Sequence, residues 1–133
     1  MHGFRRFSLA TTLFALLGTL WHPVCLAADE AIVARIEAME AGFPVQVLGS
    51  RLMAHQALSA FYGANGYQPA WKSAELRRQL IDSVEQASHD GLNPADYHAD
   101  ILSGLALRPM SDFSEDLRAD LDLLFSDAFL MLF

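Results

Sequence analysis

A chain of 133 residues with a formal charge of -7 and one cysteine has room for one modest domain. Its acidity disfavours nucleic acid and anionic lipid as partners. The cysteine, Cys25, lies in an apolar leader, so the remainder offers neither a disulfide nor a thiolate nucleophile.

The leader reads MHGFRRFSLATTLFALLGTLWHPVCLAA. Arg5 and Arg6 precede an apolar run from Phe7 to Trp21, and Pro23 with small residues follows. That is the layout of a secretory signal peptide over residues 1–28, with cleavage expected after Ala27 or Ala28. Three rivals stay open. The uncharged run to Ala28 approaches the span of a bilayer, which would make it an uncleaved inner-membrane anchor, although His22 and Pro23 interrupt it. A lipoprotein signal would need a small residue before Cys25, where Val24 stands. A twin-arginine signal would use Arg5 and Arg6, but FRRFSLA lacks most of the expected surroundings. Residues 1–28 hold two arginines and no acid, so the remaining 105 residues carry a charge of -9. An acidic exported chain without cysteine fits the periplasm of a two-membrane bacterium.

DEAIVARIEAMEA, residues 29–41, predicts a helix. Ile32, Ile36 and Met39 recur at helical spacing, Asp29 and Glu30 suit its positive end, and Gly42 stops it. Arg35, Glu37 and Glu40 are expected on its wet face. Pro44 makes FPVQVLG an extended connector, too short to predict a sheet. A second helix is expected from Ser50, its cap, to Ala64, with Leu52, Leu58, Phe61 and Tyr62 inward and His55 a bystander. A third is expected from Ser73, its cap, to Ser88. Leu76, Leu80, Val84 and Ala87 form its stripe, Ile81 widens it, and Arg77 and Arg78 lie beside it. Gly91 should end it at positive φ. Asn93 as cap and Pro94 as first residue open a fourth helix carrying Tyr97, Ile101, Leu102 and Leu105, with Gly104 arguing for an early end. Asp112 and Glu115 resemble a capping box for a fifth, whose stripe is Leu117, Leu121, Leu124 and Ala128. No stop signal closes this last helix, and Phe129 to Phe133 are all apolar. The expectation is a fragment, incomplete at its C-terminus. The fold class expected is all-α, a small orthogonal or irregular bundle of about five helices.

Chemistry is harder to find. The sequence holds no phosphate-binding glycine loop, no HExxH, no Cys/His cluster and no GxSxG. In ADYHAD, the alternating Asp96, His98 and Asp100 would fall on different faces of a helix, so no metal site is expected, and no cofactor. His89 and Asp90 suit a helix end. Asp82 and Glu85 have the residue types of a glycosidase pair, but nothing sets them in a cleft. Asp112, Glu115, Asp116, Asp120 and Asp122 are expected to form a solvated face. The aromatics remain: Phe61, Tyr62, Tyr67, Trp71 and, further on, Tyr97. In NGYQPAW, Pro69 fixes the approach to Trp71, while Gly63 and Gly66 fit tight geometry. Packing between the second and third helices is favoured, and stacking on a sugar or peptide stays open.

Three stretches occur in order: LSAFYGANGYQPAWKS, LIDSVEQASHDGLNPADYHADIL and LDLLFSDAFL. Together they resemble the N-terminal scaffold region of large exported murein L,D-transpeptidases, the YcbB-like group. There an FY pair precedes a gYxPxW loop, a helix leads to GLnPxdYh, and a later helix carries DxxLTdAf. Phe61, Tyr62, Tyr67, Pro69 and Trp71 match the first motif. Gly91, Leu92, Asn93, Pro94, Asp96, Tyr97 and His98 match the second. Asp122, Leu124, Asp127, Ala128 and Phe129 match the third. Phe125 and Ser126 stand where that family has Leu-Thr, and LMLF replaces a tyrosine-containing continuation.

The resemblance covers nearly all of residues 29–133 and implies a partial scaffold domain. Its implied partners are a C-terminal catalytic domain, a peptidoglycan-binding module and peptidoglycan itself. In such enzymes a cysteine attacks the tetrapeptide stem, releases D-alanine and forms an acyl-enzyme. Another stem's amine resolves it into a 3→3 cross-link. The Ser/Thr-His-Gly-Cys core and its upstream histidine are missing from this sequence, so a non-catalytic scaffold is expected. Two other functions stay open. One is a stand-alone module that holds glycan or stem peptide through Tyr67 and Trp71. The other is a small periplasmic interaction domain with Phe129 to Phe133 buried against a partner.

Overall fold

Asp29 turns the chain into its first helix. In a computed structural model that describes residues 27–133, its Oδ1 accepts the Ala31 and Ile32 amides at 3.0 and 3.1 Å. Two of the four N–H groups that a helix start leaves bare are thereby satisfied. The expected signal peptide lies outside the described residues as far as Leu26. The helix, α1 (Glu30–Glu40), buries Ile32, Ile36 and Met39 as their spacing predicts. Glu37 and Glu40 are exposed. Arg35 departs from the expected wet face, because its guanidinium pairs with Asp120 and reaches Asp116 at 3.4 Å.

The connector is more than extended chain. Gln46–Val47 (β1) pairs antiparallel with Ser50–Arg51 (β2), Gln46 opposite Arg51 and Val47 opposite Ser50. Leu48 and Gly49 turn between them at φ 50° and 77°. Successive positive φ values make the tight hairpin turn whose twist matches paired strands. Gly49 adopts that conformation freely, and Leu48 does so against its side chain. Ser50 is therefore a strand residue and not a helix cap. The second helix, α2, starts later and runs His55–Ala64.

Ser73 opens α3 (Ala74–Gln86) as predicted, its Oγ accepting the Leu76 amide at 3.3 Å. Leu80, Ile81 and Val84 are buried, but Leu76 is 48% exposed and Arg77, at 1%, faces inward beside them. A 3-10 turn, Ala87–Asp90, follows and closes at Gly91 with φ 83°. Asn93 and Pro94 play their predicted parts in a single 3-10 turn, Pro94–Tyr97. His98 then adopts φ 60°, and α4 (Ala99–Leu105) starts afresh. One expected helix is thus two short pieces with a left-handed joint. After a 3-10 turn at Met110–Asp112, α5 (Glu115–Leu132) begins. Its cap is Ser114, which accepts the Leu117 amide at 3.3 Å, and not Asp112.

Every residue of α5 from Leu121 to Ala128 is buried. A helix buried all round is a core element and not a surface stripe. Around it pack α1, α2, α3, α4 and β1. The result is the expected small all-α orthogonal bundle, with a two-stranded hairpin as the sheet among the described residues. Among those residues no helix is long and apolar enough to cross a membrane.

Candidate functional site

Because α5 is enclosed, its polar residues face protein. Asp122 and Asp127 are 1% and 0% exposed, and Ser126 is 1%. Carboxylates removed from water are costly unless donors surround them. Asp122 Oδ1 accepts the Tyr62 hydroxyl at 2.5 Å and the Ala70 amide at 3.0 Å, and Oδ2 accepts the Trp71 amide at 3.0 Å. Ser126, one turn further on, sits 2.7 Å from the Tyr62 hydroxyl and accepts Trp71 Nε1–H at 2.8 Å. Each hydroxyl has one proton, so the protons run one way: Trp71 to Ser126, Ser126 to Tyr62, Tyr62 to Asp122.

Arg77 holds the other side of the same loop. Its Nη1 donates to the Trp71 and Lys72 carbonyls at 2.7 and 2.9 Å. Its Nε donates to Ala106 at 2.8 Å and its Nη2 to Arg108 at 3.2 Å. The loop's amides thus meet a carboxylate and its carbonyls meet a guanidinium.

Asp127 governs a second junction. Its Oδ1 accepts the Met53 and Ala54 amides at 3.0 and 2.7 Å. The start of α2 has no side-chain cap of its own, so a carboxylate from α5 supplies the negative charge there. Asp127 Oδ2 lies 2.6 Å from His98 Nε2, and His98 Nδ1 lies 2.7 Å from Ser50 Oγ. Those three side-chain types perform acyl transfer where the imidazole borders a substrate cleft. Here His98 is 6% exposed. The trio acts as a latch joining the hairpin and the joint before α4 to the central helix.

Burial pushes the Asp122 carboxyl above its ordinary range, against the hydrogen bonds from Ala70, Tyr62 and Trp71, and the charge on Asp29 adds to the rise. Burial, then the charge on Asp122, likewise raises the Tyr62 hydroxyl. A raised carboxyl pKa means that the folded state favours the neutral form. This contribution to stability is complete below about pH 4 and is lost as pH rises through the folded value. The stability of the protein relative to Asp122→Asn should therefore fall as pH rises above about 4 in urea titrations. A pH-independent difference would show that the carboxyl titrates normally.

The aromatic candidates are not gathered on one surface. Tyr62 and Trp71 are buried; Trp71 stacks on Phe125 at 5.7 Å and meets Phe129 edge-on at 6.0 Å. Phe61 is half-buried and edge-on to Tyr62 at 5.1 Å. Tyr67, half-buried at φ 57°, accepts the Asp29 amide on its carbonyl at 3.1 Å. Tyr97 is half-buried against the core. Asp96 and Asp100 are exposed while His98 is buried, so that trio does not converge. Asp82 meets Arg78 at 3.1 Å on the surface. Asp122 overturns the solvated-face expectation, since its donors come from residues 51 to 60 positions away. Among the described residues, no group of three or more His, Cys, Asp or Glu side chains could hold a metal ion.

A family model described as Scaffold domain matches residues 56–133. The match begins in the first turn of α2, so α1 and the hairpin lie outside it. No curated protein and no solved structure matches the chain.

Proposed function

We propose, because this chain belongs to the Scaffold domain family, that its work is mechanical: it is a non-catalytic support that holds its elements in fixed relation. The observation that carries this is the use made of the buried charges. Asp122, Asp127 and Arg77 direct their hydrogen bonds to the chain's own backbone and side chains. A catalytic acid or base needs a proton-bearing substrate within hydrogen-bond reach, and these groups are enclosed instead.

The finer reading is a periplasmic scaffold for a peptidoglycan L,D-transpeptidase, with a cysteine-bearing catalytic domain and a peptidoglycan-binding module as its partners. The three motifs that carry the resemblance support it by their convergence. Tyr62 and Trp71 of the first meet Asp122 and Ser126 within the third, and His98 of the second meets Asp127 of the third. Ser126 keeps the hydroxyl of the threonine that the pattern has there. Such motifs serve a shared core and not a shared reaction centre.

Deleting the gene and measuring cross-links in isolated cell wall tests this reading. Fewer 3→3 cross-links are expected; an unchanged profile would remove the transpeptidase assignment and leave the scaffold. Retention on purified sacculi separates the stand-alone binding module. The scaffold reading expects none, whereas retention that Tyr67→Ala abolishes favours the module. One observation favours the interaction domain as a second reading. Phe133 and Phe129 are 78% and 37% exposed and lie 5.3 Å apart, an apolar pair suited to contact with another domain.

A further inference from the structure

We propose that the cleft beside the aromatic loop binds a small zwitterion, a ligand with a free ammonium and a free carboxylate a few bonds apart, as in an amino acid or dipeptide. The cleft has a volume of about 340 Å³ and is lined by Asp29, Pro69, Lys72, Met110, Arg118 and Asp122. That volume lies near the lower end of small-molecule sites, about 300–1,000 Å³. Pro69 and Met110 give it an apolar wall.

Its free charges are those of Lys72, Arg118 and Asp29, since Asp122 is enclosed by its own donors. Lys72 is exposed and makes no ion pair among the described residues. Among the described residues Arg118 pairs only with Glu115, at 3.9 Å between side chains 42% and 91% exposed, a contact that holds it weakly. Asp29 stands with them. Asp29 uses Oδ1 to cap α1, and no hydrogen bond among the described residues uses its Oδ2. Its charge is felt by Asp122, whose carboxyl it helps to raise.

This pairing selects the ligand class. A simple anion would meet Asp29, and a metal cation would meet Lys72 and Arg118. A molecule with both charges satisfies both signs, its ammonium toward Asp29 and its carboxylate toward Lys72 and Arg118. Its side chain would lie against Pro69 and Met110. This site is independent of what the scaffold supports.

Calorimetric titration of the full chain at low salt with L-alanyl-L-leucine, its N-acetyl form and its C-amide tests the site. The free dipeptide should bind saturably, with Kd of about 1 mM or tighter, and each blocked form should bind at least about tenfold more weakly. Asp29→Asn keeps the capping oxygen and Lys72→Met keeps the aliphatic stem, so both should fold with unchanged melting temperatures. Each should weaken the free dipeptide by about fivefold or more. No saturable heat up to about 50 mM, equal binding of free and blocked dipeptides, or full affinity in the double variant would each overturn the proposal.

Discussion

Asp122→Ala should lower the stability of the protein by about 3–5 kcal/mol. The side chain removed is small, and the cost comes from what it leaves behind. The Ala70 and Trp71 amides lose their acceptor, and the Tyr62 hydroxyl keeps only Ser126. An unsatisfied buried donor costs about 1–3 kcal/mol. Relief of the buried carboxylate's own desolvation returns part of the total. Asp122→Asn should not rescue it, because the amide presents one oxygen to three donors and turns an N–H₂ toward one of them. Tyr62→Phe removes a donor instead of the shared acceptor and should cost about 1 kcal/mol. Urea unfolding followed by far-UV circular dichroism ranks the three. An Asp122→Ala loss no larger than that of Tyr62→Phe would mean that water reaches the loop amides.

Arg77→Met should cost about 2–4 kcal/mol, although it replaces a buried charge with an apolar side chain of similar length. Such replacements are often neutral when the countercharge is removed as well. Here the partners are the carbonyls of Trp71, Lys72, Ala106 and Arg108, which no side-chain substitution can remove. Arg77→Lys keeps the charge but has one nitrogen for positions that Nε, Nη1 and Nη2 now fill, so it should recover only part of the loss. The same unfolding experiment reads both variants. Equal stability of Arg77→Met and the parent would sink the idea that this guanidinium fastens the loop and the segment after α4.

What was legible in the sequence was local. Asp29, Ser73, Asn93 and Gly91 act within three residues of themselves, so their signals and effects share one window. Capping failed where the partner was distant. The start of α2 depends on Asp127, more than 70 positions away, and nothing near Ala54 reveals it. Ser50 was a reasonable cap by type, but a turn with Leu48 at positive φ put it in a strand. Leu is a poor signal for such a turn, because its side chain opposes the conformation. Asp122 departs from the expected solvated face because charge predicts exposure unless the donors that justify burial are known. One clue to the site lay in view. Asp122 and Ser126 stand four apart on the helix that carries Leu121 and Leu124, so a helix apolar on more than one side had polar groups with nowhere wet to go.

The order of elements along the chain has a consequence for how the protein is made. A ribosome releases α1 to α4 before it completes α5 (Glu115–Leu132), yet that helix supplies the acceptors for Tyr62, Trp71, Met53 and Ala54 and covers much of the apolar surface of the others. Until Asp127 emerges, the nascent chain has donors without acceptors and apolar faces without cover. Folding therefore waits on contacts of large sequence separation, which are slow to form. The segment from α1 to α4 stays open until α5 has been made, and until then it is available to whatever handles unfolded chains.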